Sequence, residues 1–390
     1  MSSLKDHFLI DPSVTFFNHG SYGATPKPVF DEYQRWQRVL EQQPVAYFRA
    51  AASNLLAART RLAEYLGTTA NNLGFIVNAS FGINVIAHSL ARSGFLSAGD
   101  EVLTSHHEYG AVDRAWRFHT AHHGVNLVVQ PTPVPLNSPE EFAAAFWKGV
   151  TPRTKVIALS HITSPTAVVL PLAPIIRRAR EAGIVTVIDG AHATSQIDLA
   201  LDDFGADFYF GNCHKWLCAP KGSGFLYART ERLHLVQPLT INWGWIEGQK
   251  SEHPLSDYVE TLGTRDLAAF LSVPAAIEFQ QSHNWSEVRA GCHALASRAR
   301  AEVIEMFDTM PLTPDSPDWF VQLCALPLPP GTDMTMLKNR LLDEFNIEIP
   351  CLVWNGIPIA RLSVQAYNDE KDINKLIGAL GHIILGKDAA

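Results

Sequence analysis

The strongest constraint in this sequence is an alternation between residues 74 and 227. Seven short runs rich in apolar and β-branched residues appear there: Phe75–Val77, Glu101–Thr104, Asn126–Gln130, Lys155–Ser160, Ile184–Ile188, Asp207–Phe210 and Gly224–Tyr227. Helix-like stretches or long connections separate most of them. Apolar strands alternating with helices predict an α/β fold, with a parallel or mostly parallel sheet covered on both faces. Such a sheet carries its site in the loops beyond the carboxyl ends of its strands. The residues that do chemistry are therefore expected just after the runs.

The flanks read differently. Residues 12–28 are rich in Gly and Pro and read as loop. Helical periodicity follows from Val29 to about Leu66, interrupted at Pro44. From about Leu267 a long helical stretch covers 267–308. Then come a run at Trp319–Leu326, a helix near Met334–Phe345, a short strand near Ala360–Ser363 and a last helix from Glu370. This pattern predicts a smaller α+β domain. It would comprise residues 1–19 and 266–390, beside a large α/β domain over 20–265. A chain of 390 residues is ample for two domains.

Charge and composition narrow the partners. The 31 Lys and Arg against 39 Asp and Glu give a net charge of −8 without a basic stripe, which argues against nucleic acid. No stretch approaches the ~20 apolar residues of a membrane span, and the first residues hold no apolar signal core. A cytoplasmic protein is expected, with no membrane partner. Its five cysteines (Cys213, Cys218, Cys292, Cys324, Cys351) are odd in number and irregular in spacing, so reduced thiols are expected. His119 and His122 have a helical spacing that brings two ligands together, and His123 adjoins them. No carboxylate or cysteine completes a set, and no metal is expected.

Two motifs carry chemistry. The run Ile184–Ile188 ends in Asp189-Gly190-Ala191-His192. An acid at a strand end can meet a heterocyclic nitrogen of a ligand, or can equally cap a helix. The run Asp207–Phe210 leads into Gly211-Asn212-Cys213-His214-Lys215-Trp216, then a Gly-Ser-Gly turn at 222–224. A lysine just after a strand can be held in a cavity, where its pKa falls and it can form an imine. Most lysines lie at the surface. The two motifs together are far more specific than either alone.

Together they resemble the class V aminotransferases, pyridoxal 5'-phosphate (PLP) enzymes of fold type I. The resemblance runs from Asn18 to Asn368. Asn18-His19-Gly20-Ser21, His107-Glu108-Tyr109-Gly110-Ala111, Ser160-His161-Ile162-Thr163-Ser164-Pro165-Thr166 and His214-Lys215-Trp216 lean toward the isopenicillin N epimerase-like and C–S lyase branch. It implies a mostly parallel seven-stranded sheet sandwiched by helices, plus the smaller α+β domain.

It also implies roles. Lys215 would hold PLP as a Schiff base and move the Cα proton. Asp189 would pair with the pyridine nitrogen and His192 with the phenolic oxygen. The Ala79 and Ser80 amides and the Ser80 hydroxyl would hold the phosphate, with Asn212 and His214 on the same side. Thr264 would reach the phosphate of the neighbouring subunit, which implies a homodimer; a helix N-cap is its plainer reading. Arg361 would clamp the substrate carboxylate. Tyr109 falls where a ring-stacking aromatic stands and could donate a proton; His107 is a weaker candidate for that place. His19, Ser21 and Ser164 would contact substrate. Arg49 and Tyr47 are expected toward the site, and Trp243 and Trp245 at its mouth or in packing. Cys351, only ten positions before Arg361, reads as a buried cysteine rather than a persulfide carrier. The implied activity is epimerisation or C–S lysis of an amino-acid substrate. Transamination, desulfurase-like chemistry and a PLP-binding protein without catalysis are the alternatives.

Overall fold

The computed structural model describes residues 4–386. Its centre is a sheet of seven strands: β1 Leu73–Ile76, β2 Glu101–Ser105, β3 Asn126–Gln130, β4 Thr154–Ser160, β5 Val185–Asp189, β6 Phe208–Asn212 and β7 Gly224–Ala228. Their order across the sheet is β1-β7-β6-β5-β4-β2-β3. Only β7 runs against its neighbours, so the mostly parallel sheet is present.

The sheet is buried on both faces because its apolar runs are continuous. All five residues of β5, Val-Thr-Val-Ile-Asp, are buried. Side chains alternate between faces with period two. On one face Val102, Val156, Val187, Phe208 and Phe210 meet two helices, α3 Ala79–Arg92 and α4 Gly110–Thr120, through Ile83, Ile86, Leu90 and Trp116. On the other, Leu103, Ile157, Ile188, Tyr209 and Phe225 share a core with Leu62 and Phe142. Fully burying one such side chain contributes about 1.5–3 kcal/mol.

Before the sheet, α1 Lys27–Gln42 and α2 Pro44–Tyr65 are separated at Gln43, because Pro44 cannot continue a helix and instead starts one. The helical stretch expected over 267–308 is three helices. A short one at Ala268–Leu271 precedes Val273–Ser282, which has Pro274 in its first turn; Trp285–Phe307 starts after Asn284, whose φ is +53°. The run at Trp319–Leu326 forms a strand only from Leu323, as β8 Leu323–Pro327. The strand expected at Ala360–Ser363 is longer, Ile357–Ser363, and pairs with Cys351–Trp354. Call these β9 (Cys351–Trp354) and β10 (Ile357–Ser363). Asn355 and Gly356 join them with φ of +47° and +80°, the backbone of a two-residue hairpin turn.

The two ends of the chain are stitched together. Thr15–Phe16 pairs in parallel with Ile347–Glu348, and Ser363 N–H donates to Phe17 O (3.0 Å). No helix among the described residues is long and apolar enough to cross a membrane.

One buried ion pair fixes α2 against the sheet. Arg59 pairs with Glu260, whose other oxygen accepts the Phe75 N–H (2.8 Å), and Arg59 Nε donates to Ala70 O (3.0 Å). Arg59→Ala is expected to cost about 3–5 kcal/mol, because it strands a buried carboxylate. Denaturant titration checks this. A paired replacement, Arg59→Met with Glu260→Leu, should recover only part of the loss, because it removes the stranded charge but leaves the buried Phe75 N–H without its acceptor.

Candidate active site

β1, β2, β4, β5 and β6 all end at the same edge of the sheet. The segments leaving them, together with the one-turn helix His19–Tyr22, surround a cavity of about 290 Å³. Its walls include Ser21, Ser80, Tyr109, Ser164, Asp189, His192, Asn212, His214 and Lys215. An adjoining recess brings Arg361 to Ser21, Tyr109, Ser164, His192 and Lys215. A larger apolar cavity of about 600 Å³ lies behind Gly23 and holds none of the residues singled out from the sequence.

Lys215 is the centre of the arrangement. Its Nζ lies 3.2 Å from His192 Nε2, and burial brings its pKa down to about 7. His192 Nδ1 accepts the indole N–H of Trp216 (3.3 Å). That bond assigns the remaining ring proton to Nε2, which points at the lysine amine. Burial, with Lys215 and Arg361 nearby, keeps His192 far below the usual imidazole range, so the ring is neutral. Asp189 closes the floor; its Oδ1 accepts the Ala191 N–H (2.8 Å), and burial raises it to about 6.

The backbone around the lysine is clamped. Lys215 O accepts from His19 Nε2 (3.0 Å) and from Cys218 N (2.9 Å). Gly23 packs directly on this segment: a Cβ there would stand 1.8 Å from His214 O, so only glycine fits. Gly190 is equally constrained, since a Cβ would stand 2.0 Å from the Tyr209 ring.

Arg361 sits on β10, buried, and burial lowers its pKa to about 10. Its NH1 donates to Ser164 O (2.7 Å) and Ser164 Oγ (2.9 Å), and NH2 donates to Ser21 Oγ (3.1 Å). Nε is buried with no acceptor. A guanidinium has five N–H donors. Three are engaged, and the two left over belong to Nε and NH2, the side-on pair that meets a carboxylate with two parallel bonds.

Several residues stand elsewhere than the sequence suggested. His19, expected at the substrate, is fully buried and lines no part of the cavity; its Nδ1 meets Tyr367 Oη (3.0 Å) and its Nε2 holds the lysine backbone. The Ala79 amide, expected at a phosphate, already donates to Asn212 Oδ1 (2.9 Å). Ser80 remains at the cavity and at the start of α3. His214 Nδ1 donates to Ser223 O (3.0 Å). Ser21 and Ser164 line the cavity directly and also hold Arg361. Tyr109 is half exposed on the rim, whereas His107 is buried against Trp354 and bonded to Thr166 Oγ1 (2.9 Å). Arg49 and Thr264 are exposed and line no part of this cavity, and Tyr47 is buried beside Trp36. Trp243 is exposed, outside the cavity. Cys351 is half-buried, not buried, and pairs with Ala360, so its side chain leaves β9 on the face opposite to Arg361. His119 Nε2 is engaged with Asn84 Oδ1 (2.9 Å); among the described residues no cluster of three or more His, Cys, Asp or Glu has the geometry of a metal site.

Sequence reasoning missed Tyr22 and Lys221, which line the cavity. Tyr22 adjoins Ser21 in the same helical turn, which was the available signal. Lys221 precedes the Gly-Ser-Gly turn, and nothing in the sequence marked it.

Comparison with known proteins adds to this geometry. The family model "Aminotransferase class-V" matches residues 24–376. The chain is 34% identical to an isopenicillin N epimerase of Amycolatopsis lactamdurans over 389 residues, covering 97% of each protein. It is 28% identical to a putative L-cysteine desulfhydrase of Oryza sativa subsp. japonica, covering 96% of this chain and 84% of that one. Among solved structures, a C-DES mutant with glycine covalently linked to its PLP cofactor superposes with a TM-score of 0.80 at 20% identity, over 95% of this chain and 96% of the other.

Proposed function

Because this chain belongs to the class-V aminotransferase family and is a PLP-dependent enzyme of it, we propose that it moves the Cα proton of an amino-acid substrate, leading to epimerisation or to C–S cleavage. The observation that carries this reading is a buried arginine with a free side-on donor pair, in a recess it shares with a desolvated lysine. An α-amino acid offers a carboxylate to the first and a Cα proton to the second.

The residues fit the cofactor. Lys215 Nζ is an amine whose lowered pKa leaves a substantial neutral fraction near pH 7, the form that reacts with an aldehyde. Asp189 would hold the ring nitrogen, and the neutral His192 Nε2–H would donate to the phenolic oxygen. The Ser80 hydroxyl and amide, at a helix N-terminus, and His214 would hold the phosphate. Asn212 would order that turn through the Ala79 amide rather than bind directly. Bound there, PLP supplies an electron-accepting ring that stabilises negative charge at the substrate Cα.

The chain's own groups do the rest. Arg361 grips the carboxylate and fixes which Cα bond faces Lys215. Ser21 and Ser164 hold the guanidinium plane, and His19 holds the lysine backbone. Lys215 Nζ removes the proton, and its lowered pKa keeps it free to do so near neutral pH. Tyr109, on the rim, is the donor for the return of a proton or for a departing sulfur. A persulfide route lacks its nucleophile, because Cys351 faces away from Arg361. Thr264, exposed beyond its own cavity, and its flanking Gly263 would reach the phosphate of a second copy, making a homodimer.

The deciding experiment incubates the PLP-loaded protein in deuterated water with amino acids and S-substituted cysteines. Deuterium at Cα with loss of chirality identifies an epimerase; pyruvate identifies a C–S lyase. No exchange with any substrate refutes the proposal. A pH prediction accompanies it. In the cofactor-free protein, trapping of Lys215 by PLP and borohydride should rise with pH through about 7 and level off above. An ordinary lysine would still be gaining reactivity near its usual pKa of 10.5.

A further inference from the structure

Beside Tyr109 lies a carboxylic acid that the proposed reaction does not use. Glu108 follows β2, and its carboxyl is enclosed by two serines at the ends of neighbouring strands. Ser105 Oγ donates to Oε1 (2.7 Å), and Ser160 Oγ lies 2.6 Å from Oε2. Ser105 Oγ in turn accepts the His107 N–H (3.1 Å). Ser160 lines the cavity, and its register partner across β4 and β5 is Asp189.

The protons in this cluster are countable. Ser105 uses its one proton on Oε1. The contact with Ser160 can then be made in two ways. With Glu108 ionised, the Ser160 O–H donates to it, and Ser160 offers the cavity only lone pairs. With Glu108 protonated, its own O–H donates to Ser160, and the Ser160 O–H is free to donate into the cavity. One proton reverses the hydrogen-bonding sense of a hydroxyl on the cavity wall.

The surroundings place that proton near neutrality. Burial raises Glu108 to about 7, against the pull of both serines, and the negative charge of Asp189 adds to the rise. Asp189 on β5 is the charge it faces. Lys215 and Arg361 line the same cavity system from the segment after β6 and from β10. On its own turn, burial keeps His106 below its usual value and brings His107 down to about 3, and Tyr109 follows on the rim.

We propose that Glu108 is a positioning residue whose proton sets Ser160 as donor or acceptor toward the bound cofactor beside Asp189. The inference rests on the PLP reading above.

Glu108→Gln fixes one of the two states. Its amide N–H donates to Ser160 and its carbonyl accepts from Ser105, the pattern of the protonated acid. Wild type, E108Q and Ser160→Ala are loaded with PLP. The visible band and the cofactor dissociation constant are then followed from about pH 6 to 9, a span bracketing Glu108. The ratio of the wild-type to the E108Q constant should change roughly 3- to 10-fold across that range, the size of one hydrogen bond gained or lost. The wild-type band should show a step near pH 7 that both variants lack. A constant ratio with superposable band titrations, or a wild-type step retained in S160A, overturns the proposal and leaves Glu108 a structural clamp. Wild-type protein that takes up no PLP overturns the functional reading, and this inference with it.

Discussion

Lys215→Ala is expected to fold normally and to lose Cα-proton exchange by about 10³-fold or more, the scale of a lost positioned base that also anchors the cofactor. The fold survives because the clamps on this segment are backbone bonds, from His19 and Cys218 to Lys215 O, which alanine keeps. The variant should even gain stability, with a definite pH signature. The amine has a folded pKa of about 7 against an ordinary 10.5, so the unfolded chain binds its proton more tightly. Burying it destabilises the native state fully below about pH 7, and this penalty disappears as pH rises toward 10.5. The stability of the alanine variant relative to wild type, in cofactor-free melts, should therefore be highest at and below about pH 7 and fall as pH rises toward 10.5. Wild-type turnover in the variant would remove Lys215 from the mechanism.

Arg361→Ala should lower kcat/KM by about 10²- to 10⁴-fold, mostly through KM, since two hydrogen bonds to a charged group are worth about 1.5–3 kcal/mol each. Arg361→Lys should recover little of it. A lysine offers one point of charge and no side-on pair, and it cannot keep three bonds to Ser164 and Ser21 while reaching a carboxylate. Substrate analogues without the carboxylate provide the control: wild type and R361A should handle them with similar efficiency. A loss in R361A that is equally large for such analogues would show that the arginine shapes the recess and does not bind the carboxylate.

The sheet and the lysine were legible in the sequence for the same reason. A parallel strand buried on both faces must be apolar end to end, as β5 is, and a polar group that follows it, like Asp189 or Lys215, stands out. Where local pattern and tertiary demand diverge, the reading was less complete. His19 resembles a substrate contact in its Gly-rich loop, but its ring is drawn inward by Lys215 O and Tyr367, partners 196 and 348 residues away. The Ala79 amide looks free at the start of a helix until Asn212, from another strand, takes it. The helical stretch near 267–308 hides its breaks because apolar spacing continues through Ser272 and Asn284 while the backbone does not. The Asn355-Gly356 pair, by contrast, is a turn signal readable from sequence alone, since Asn and Gly tolerate the positive φ of a two-residue hairpin turn.

The stitching of the chain's ends has a consequence for synthesis. Ser21 comes from the first tenth of the polypeptide and Arg361 from the last, and both grip one recess. During translation the lysine-bearing sheet can emerge and pack well before β10 clears the ribosome exit tunnel. A nascent chain arrested before that point would carry Lys215 and the strand ends around it, but would lack Arg361 and also Ser363 and Tyr367, which hold Gly20 and His19 in place beside them.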